Sequence, residues 1–315
     1  MEGAIDIISE LIQSVGMKTA HLAQGIFPHP WGIDFPQGMG AAFHLVTRGS
    51  CWLRSPQLAA PIQLMAGDLA FVSHQISYVL LSDLETPAKP IQETIAAAQV
   101  ALQRATDPVG EAGNATSFIC GIYGFAVPPI HPFFAELPPL IHLRAQQIAA
   151  HEPMYAAQRL LSAELSYAPT EPGKSLLTDR LVDVMLYYIL RQWMNHHPRE
   201  GASWISAYGN PELRQALTAI HADPAYPWQV EELAQKAGLS RAAFAQRFKE
   251  LLGDTPLNYV TKVRIQKAME YLLRSEETIE AISERVGYAT GFALSKAFKR
   301  IAGVSPQHYR LQATG

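Results

Sequence analysis

The sequence predicts an α+β protein of several domains: a strand-rich N-terminal part, a helical connector and an all-α C-terminal part. Short apolar runs separated by Gly and Pro occupy residues 1–150. Apolar residues at helical spacing occupy 151–211, and 212–315 contain an internal repeat. A length of 315 residues suits more than one domain, and 48% apolar against 17% charged residues suits well-packed ones.

The repeat lies between Val230 and Tyr309. Four residues recur 50 positions later: Phe248 as Phe298, Gly253 as Gly303, Pro256 as Pro306, and Tyr259 as Tyr309. The glycines Gly238 and Gly287 are 49 positions apart, so the second copy has one extra residue after its turn. A self-match at a fixed period indicates that one structural unit occurs twice.

Each copy has the pattern of a helix-turn-helix unit. A short helix ends at Gly238 or Gly287, because glycine adopts the left-handed conformation that a tight stop needs. The next helix begins after Ser240 or Thr290, whose side chains accept hydrogen bonds from free N–H groups at a helix start. The exposed faces of these second helices carry Arg, Lys, Gln and Ser, which suit phosphates and base edges.

A connecting helix is predicted between the two copies. Thr255-Pro256 is a cap followed by a favoured first helical position, and no helix breaker follows as far as Arg274. At 1.5 Å per residue this helix spans roughly 28 Å. Successive major grooves on one face of DNA lie about 34 Å apart, so a rigid helix of this length would place two reading helices at nearly that spacing.

The stretch from Glu212 to Leu311 closely resembles the DNA-binding domain of the AraC/XylS family of transcription regulators. The repeat, the connecting helix and the closing segment 303–310 match in order. The resemblance implies double-stranded DNA and RNA polymerase as partners. It implies base contacts from the following residues: Arg241, Ala242, Ala245, Gln246, Thr290, Gly291, Phe292, Ser295 and Lys296.

Two departures from the family bear on how the bases would be read. Ala242 and Ala245 are small where family members often carry larger readers, although Ala can still contact a thymine methyl group. Gly291 and Phe292 offer no side-chain hydrogen bond, so we expect the second unit to read shape and phosphates more than sequence.

Charge supports a nucleic-acid partner. Residues from Glu212 onward include 14 Lys and Arg against 11 Asp and Glu, whereas the whole chain has a net charge of −3. On the connecting helix and the last reading helix, we predict phosphate contacts from Arg264, Lys267 and Lys299; a merely solvated face is the alternative for each.

The N-terminal pattern predicts a short helix at 6–15, then a sandwich or barrel of short strands. One pair of strands, Ala42–Arg54, is expected to form a hairpin turning at Arg48-Gly49. The remaining predicted strands are 32–35, 62–65, 67–72, 78–81, 116–125 and 140–144, with a long connection over 86–114. Gly67-Asp68, an apolar run and His74 resemble the small β-barrel of the cupin superfamily, which AraC-type regulators often carry as a sensor domain.

Four residues are candidates for chemistry in this cupin-like β-barrel: His44, Cys51, His74 and Cys120. Two His and two Cys suit a tetrahedral metal such as zinc, but no Cys-x-x-Cys spacing supports it. Two other interpretations are open: Cys51 and Cys120 respond to oxidants as thiols, or the set contacts a small organic molecule. The remaining alternative is that all four residues serve the core.

The helical connector, 151–211, contains predicted helices over 156–167 and 176–194. The second is strongly apolar, with Leu177, Leu181, Val184 and Tyr188 at helical spacing. Two interpretations are open: this stripe packs against the barrel or the first helix, or it forms the contact of a homodimer, as sensor domains of this family commonly do.

The sequence therefore predicts a sequence-specific DNA-binding transcription regulator, with a sensor at 1–150, a connector at 151–211 and a DNA-binding domain at 212–315. Its effector is expected to be a small molecule, a metal or an oxidant. The alternative is a cupin-type metal-dependent enzyme with an appended helical domain, which the missing His-x-His pattern argues against. The acidic start and the lack of a long apolar run predict a cytoplasmic protein without a membrane partner.

Overall fold

A computed structural model describes residue 12 and residues 17–94, 114–125, 129–166, 174–196 and 203–314. Most of the predicted N-terminal helix and residues 95–113 of the predicted long connection lie outside these ranges. Contacts group the chain into two units. The sheet unit is Lys18–Gly124 with Leu137–Trp193; the helical unit is Met1–Met17, Phe125–Glu136 and Met194–Gly315. The predicted ranges 1–150, 151–211 and 212–315 are stretches of sequence, whereas these units are groups of contacts, so the two descriptions divide the chain differently.

The sheet unit contains two five-stranded sheets. One has the strand order β1-β9-β3-β6-β10 and the other β5-β4-β7-β2-β8. The strands are β1 (Lys18–Pro28), β2 (Gly32–Phe35), β3 (Ala41–Arg48), β4 (Ser50–Arg54), β5 (Ile62–Met65), β6 (Leu69–Val72), β7 (Tyr78–Leu81), β8 (Lys89–Pro90), β9 (Ala115–Gly124) and β10 (Leu140–Leu143). The sandwich or barrel expected from the sequence is a two-sheet arrangement of the jelly-roll kind, which fits the cupin fold.

The predicted hairpin over Ala42–Arg54 is wrong, because its two strands belong to different sheets. β3 pairs with β6 and β9, whereas β4 pairs with β5 and β7. The turn at Gly49 (φ +75°) therefore carries the chain from one sheet to the other. Local sequence gives turn positions, but it does not tell which strands will pair beyond the turn.

The core of the sheet unit is formed by alternate residues of these strands. Val46, Leu53, Leu64 and Leu80 come from four strands of the two sheets, and all are fully buried in one apolar cluster. A partly buried set that includes Cys120 packs against this cluster. Burial of each such side chain stabilises the fold by about 1.5–3 kcal/mol before the entropy of ordering is subtracted.

Helices continue the sheet unit after β10. They are α2 (Ala145–Ala149), α3 (Glu152–Ser166) and α4 (Lys174–His196), and a short helix α1 (Pro132–Ala135) precedes β10. Leu181 and Met185 of α4 are buried, whereas Leu177 and Val184 are exposed. Among the helices within the described ranges, none is both long and apolar enough to cross a membrane.

The helical unit contains the predicted repeat. Its helices are α5 (Trp204–Gly209), α6 (Pro211–Ala222), α7 (Val230–Lys236), α8 (Arg241–Leu252), α9 (Pro256–Arg274), α10 (Ile279–Arg285), α11 (Gly291–Ala302) and α12 (Pro306–Thr314). The predicted caps are confirmed: the side chains of Ser240 and Thr290 accept hydrogen bonds from Ala243 N and Ala293 N. The connecting helix α9 runs unbroken over 19 residues. The two helix-turn-helix units and the connecting helix therefore form as the sequence predicts.

We expect the two turn glycines to tolerate a side chain differently. Both have positive φ, +67° at Gly238 and +84° at Gly287. A Cβ at Gly238 would meet nothing within 4 Å, whereas one at Gly287 would lie 2.8 Å from Ala225 Cα. Gly238→Ala should therefore lower the free energy of unfolding by about 1–2 kcal/mol, the cost of the left-handed backbone alone. Gly287→Ala should lower it by about 1–3 kcal/mol more, because the backbone of 225 must also move.

Urea unfolding of the full chain measures both variants against wild type. Equal losses would show that Gly287 is not packed as tightly against Ala225 as the structure indicates.

Candidate DNA-binding surface and ligand pocket

The second helix of the first unit, α8, presents a polar face. Phe244 and Phe248 are fully buried, which fixes the helix with Arg241, Ala242 and Gln246 exposed and Ala245 half-buried. The predicted readers therefore lie on the accessible side of α8. This placement follows from the helical spacing of the two phenylalanines.

Two of these side chains are engaged with acidic neighbours. Arg241 Nη1 lies 3.0 Å from Glu231 Oε1, and Gln246 Nε2 donates to Glu250 Oε1 at 2.9 Å. Exposed pairs of this kind contribute less than about 1 kcal/mol each. Phosphate or base partners can therefore replace them at small cost.

The second helix of the second unit, α11, presents a different surface. Phe292 is 81% exposed, which is unusual for so large an apolar side chain. Lys296 is exposed and Ser295 half-buried, and Thr290 caps the helix from an exposed position. Gly291, by contrast, is buried, and a Cβ there would lie 2.8 Å from Glu280 Oε1. Of the predicted readers in this unit, Gly291 thus has the least surface to offer a base.

Arg264 lies in a cage of backbone carbonyls. Its guanidinium donates to the carbonyl oxygens of Pro224 (2.6 Å), Ala225 (3.3 Å), Tyr226 (2.7 Å) and Gly287 (2.9 Å). These bonds tie α9 to the loop before α7 and to the turn of the second unit. The predicted phosphate contact of Arg264 competes with four acceptors, and the geometry favours a structural role.

The other two residues predicted to contact phosphate are Lys299 and Lys267. Lys299 is exposed near the end of α11. Lys267 is half-buried, with its ammonium nitrogen 3.5 Å from Glu270 Oε2. Lys299 is therefore the more accessible of the two.

In the sheet unit, burial shifts the pKa values of the four candidate residues for chemistry. Cys51 is buried, and burial with the nearby Asp68 charge raises the pKa of its thiol to about 12. Burial likewise raises the pKa of Cys120 to about 12, and burial lowers the pKa of His74. Thiols with such a pKa are protonated at neutral pH, which disfavours attack on an oxidant, since the thiolate is the reactive form.

The predicted metal site does not form. Across the described ranges, no group of three or more His, Cys, Asp and Glu is arranged to hold a metal ion. His44 instead faces Cys120 across the β3–β9 pair, and its Nε2 is 2.7 Å from the Tyr78 hydroxyl. His44 lies on β3 and Cys51 on β4, which belong to different sheets, and the four candidate residues are not brought together as a ligand set.

Two pockets of the sheet unit share Phe27. The outer pocket has a volume of about 500 Å³ and is lined mostly by apolar groups, among them Pro28, Trp31 and Pro87. The inter-sheet pocket has about 50 Å³ and is lined by residues of β1, β2 and β9, including Cys120 and Ile122. The outer volume lies within the range usual for sites of small organic ligands.

An aromatic cluster forms the wall of these pockets. Phe27 stacks on Phe118 with centroids 4.6 Å apart, and Trp31 lies 5.4 Å from Phe27. Trp31 is 7% exposed, and its indole Nε1 is a buried donor with no hydrogen-bond partner among the described residues. Such a donor is costly to leave unpaired, so a ligand acceptor beside it would be favoured.

The sequence did not indicate this pocket, since Phe27 and Trp31 lie far from Phe118 in the chain and all three look like ordinary core residues. The sequence likewise did not indicate the carbonyl cage of Arg264. An arginine on an amphipathic helix gives no sign that backbone acceptors from two distant loops surround it.

Comparisons with known proteins identify the family of each part of the chain. A family model described as a cupin matches residues 6–195, and one described as a helix-turn-helix domain matches residues 233–312. A putative AraC-like transcription regulator of Streptomyces lividans is 32% identical over 286 residues, 90% of this chain and 91% of that protein. The HTH-type transcriptional regulator AlkR of Acinetobacter baylyi is 35% identical over 182 residues, covering 58% of this chain and 59% of its own.

Among solved structures, the DNA-binding domain of AdpA in complex with a target DNA is 30% identical. The match covers 33% of this chain and 92% of that one, with a TM-score of 0.31 over the whole chain.

The buried His44 makes stability depend on pH. Burial lowers its pKa from 6.5 to about 3, so the folded protein keeps it neutral while the unfolded chain takes up a proton below pH 6.5. Between these values the unfolded state binds more protons, so stability falls as pH falls. From pH 6.5 to pH 5, His44 should account for a loss of about 2 kcal/mol, at 1.36 kcal/mol per pH unit.

Urea unfolding at pH 7.5 and pH 5 tests this in wild type and in His44→Gln, which keeps a hydrogen-bonding group near Tyr78. His74 and His131, whose pKa values burial also lowers, contribute equally to both proteins. The variant should show the smaller pH dependence; identical pH dependence would rule out a neutral, buried His44.

Proposed function

The chain belongs to the AraC-like family of transcription regulators, and we propose that it recognises its DNA site through α8 and α11, under control of a small apolar effector bound in the sheet unit. It is a DNA-binding regulator with a ligand-sensing cupin domain. The single observation that supports the proposed reading surface is the burial of the apolar stripe of each second helix. That burial leaves Arg241 and Gln246 of α8 and Phe292 and Lys296 of α11 exposed.

We propose that the two helices read DNA by different chemistry. On α8, Arg241 and Gln246 supply hydrogen-bond donors for base edges, and Ala242 and Ala245 leave room for a thymine methyl group. On α11, the exposed ring of Phe292 suits contact with methyl groups or a shallow groove wall, and Lys296 with Ser295 and Thr290 suits phosphates. Sequence discrimination then comes mainly from the first unit.

Phosphate contacts are proposed for Lys299 and, with less exposure, Lys267. Arg264 is not included, because its donors are directed to four carbonyl oxygens. By holding Gly287 and Pro224 to α9, Arg264 would instead set the angle between the connecting helix and the second unit.

The effector is proposed to be a small, mainly apolar molecule with one hydrogen-bond acceptor. The supporting features are the apolar lining of the outer pocket, its volume of about 500 Å³ and the unpaired Trp31 Nε1 donor. A metal or oxidant effector is less well supported, since the four candidate ligands do not cluster and both thiols have a raised pKa.

A homodimer through α4 is also proposed. Leu176, Leu177 and Val184 are exposed along this helix, whereas Leu181 is buried. A second copy of the same helix would cover these apolar side chains. Contact with RNA polymerase, implied by the family, stays a prediction.

The relatives are named as transcription regulators, which favours a regulator over the metal-dependent enzyme considered as an alternative.

Substitutions on the two reading helices should separate specificity from general affinity. Gln246→Ala should relax discrimination at one base pair by about 1–3 kcal/mol, because a base-edge contact is lost. Lys296→Ala should weaken all sequences evenly and reduce the salt slope of binding by about one. Binding of a selected duplex pool at several salt concentrations measures both effects.

The matched control is Gln235→Ala, the same change at an exposed position of α7. It should leave the preferred sequence unaltered. A Gln246→Ala profile that coincides with wild type at every base pair would remove α8 as a reader, and salt-insensitive binding would contradict the whole proposal.

Native mass spectrometry should report effector and oligomer together. With a mixture of small ketones and esters, adducts are expected on wild type, and Trp31→Phe should weaken them about tenfold through the lost hydrogen bond. Hydrocarbons of equal size should bind both proteins alike.

In the same spectra the wild-type protein should appear as a dimer. Leu177→Lys should appear as a monomer, because a charge would be buried at the contact. Absence of adducts, or a monomeric wild type, would refute the corresponding proposal.

A further inference from the structure

After β9 the chain passes from the sheet unit into the helical unit and then back again. It leaves the sheet unit after Gly124, contributes the segment Phe125–Glu136 to the helical unit, and returns at Leu137. We call Phe125–Glu136 the strap; the structure describes residue 125 and residues 129–136 of it. Besides the two ends of the strap, the chain passes between the units after Met17 and after Trp193.

The strap supplies core residues to the helical unit. His131, Phe133 and Phe134 are each no more than 3% exposed. Phe133 lies against Trp204 of α5 with ring centroids 5.6 Å apart. The Glu136 carboxylate accepts hydrogen bonds from the backbone N–H groups of Trp204 and Ile205 at the start of α5. Ionised acceptors at a helix start are favourable, so the strap also caps this helix.

One hydroxyl group anchors the strap to the connecting helix. Tyr259 of α9 has its oxygen 2.7 Å from His131 Nε2, 2.8 Å from Trp204 Nε1 and 2.9 Å from His221 Nε2. All four side chains are buried. Further along α9, Gln266 accepts a hydrogen bond from Ile130 N at 3.3 Å.

The donors and acceptors of this cluster can be assigned. His131 Nδ1 accepts from Phe133 N at 3.1 Å, so a neutral His131 carries its proton on Nε2 and donates it to Tyr259. The indole of Trp204 only donates. The two lone pairs of the Tyr259 oxygen are thus used, and its hydrogen goes to His221 Nε2. The hydroxyl is fully saturated, and losing it would leave three buried groups without that partner.

This anchor bears on the first unit in particular. Phe248 of α8 packs edge-on against the Tyr259 ring with centroids 5.6 Å apart. The second unit repeats the ring pair as Phe298 and Tyr309, at 5.4 Å. Tyr259 is completely buried, whereas Tyr309 is only half-buried. The repeat is therefore symmetric in its ring packing but asymmetric in the burial of the repeated tyrosine.

The two ends of the strap are fixed to different strands at one end of one sheet. Tyr123 of β9 pairs with Ala41 of β3, and Leu140 of β10 pairs with Val72 of β6. In the strand order, β3 and β6 separate β9 from β10. Three strand spacings put the ends about 14 Å apart, a separation that changes with the twist of the sheet.

The inter-sheet pocket, which shares Phe27 with the outer pocket, lies close to one of these ends. Cys120 and Ile122 of β9 line the inter-sheet pocket, and Ile122 is two residues before Gly124. Across the β1–β9 pair, Cys120 faces Ala23, another lining residue. A molecule that fills this space must displace β9 relative to β1 and β2, because close-packed walls leave little slack.

We propose that the strap transmits displacement of the inter-sheet pocket wall to the first helix-turn-helix unit, with His131 and Tyr259 as the contact that holds α8 in place. This rests on the proposed function, in which the effector binds in the outer pocket, whose wall residue Phe27 also lines the inter-sheet pocket. The docked strap is the state that holds α8 for DNA binding, because His131 holds Tyr259, against whose ring Phe248 of α8 packs. The second unit follows only through α9.

Hydrogen exchange of the full chain tests the anchor without DNA. Tyr259→Phe should speed exchange of α8 amides at least about tenfold, as expected for lost partners of buried polar groups. Tyr309→Phe, the same change at the repeated position, should leave α8 unaltered. Should Tyr259→Phe fail to fold, Glu136→Gln weakens the strap at its other contact and should also act on α8 before α11. Equal acceleration in α8 and α11, or none in α8, would overturn the proposal.

A second arm tests transmission, using a side chain in place of an effector. Ala23→Val fills the inter-sheet pocket and should alter exchange in the strap and α8 by at least about threefold, with α11 unchanged. Gln63→Val introduces the same side chain at an exposed position of β5 and should alter neither. If Ala23→Val leaves hydrogen exchange of the α8 amides unchanged, transmission through the strap is refuted. Failure to find a DNA site would refute the proposed function and leave these exchange results standing.

Discussion

The helical unit depends on one phenol group placed where four segments of chain meet. The Tyr259 hydroxyl has one hydrogen and two lone pairs, and three buried nitrogen groups use all of them. Each partner belongs to a different segment: the strap, α5 and α6. A buried hydroxyl gains little from any single hydrogen bond but loses much when one partner is missing. Loss of one partner would therefore weaken the packing of all four segments.

A sequence repeat need not produce two equal units. Both copies use a phenylalanine on the second helix and a tyrosine after it, and both ring pairs have similar separations. Only the first tyrosine is fully buried. Arg264 adds a second asymmetry, since it joins the turn of the second unit to the loop before the first. Two copies of one motif thus acquire different packing and hydrogen bonds from their surroundings.

Burial also decides what the sheet unit can do chemically. Histidine and cysteine suggest metal or redox sites when counted in a sequence, but desolvation favours their neutral forms. His44 with a pKa of about 3 and Cys51 and Cys120 with pKa values of about 12 are core groups at neutral pH. The features that suit a ligand are instead an apolar cavity and the buried indole donor of Trp31, which has no hydrogen-bond partner in the described part of the chain.

The sequence by itself determined the features that are local or periodic. The two helix-turn-helix units, their Ser240 and Thr290 caps and the unbroken helix after Pro256 all follow from short-range rules, and the structure confirms them. Tertiary structure alone decided which distant segments meet. It placed the strands on either side of Gly49 in different sheets, surrounded Arg264 with carbonyls and brought the strap to Tyr259. These contacts join residues 23 to 128 positions apart, and no local pattern specifies them because strand pairing and core packing are settled by the whole chain.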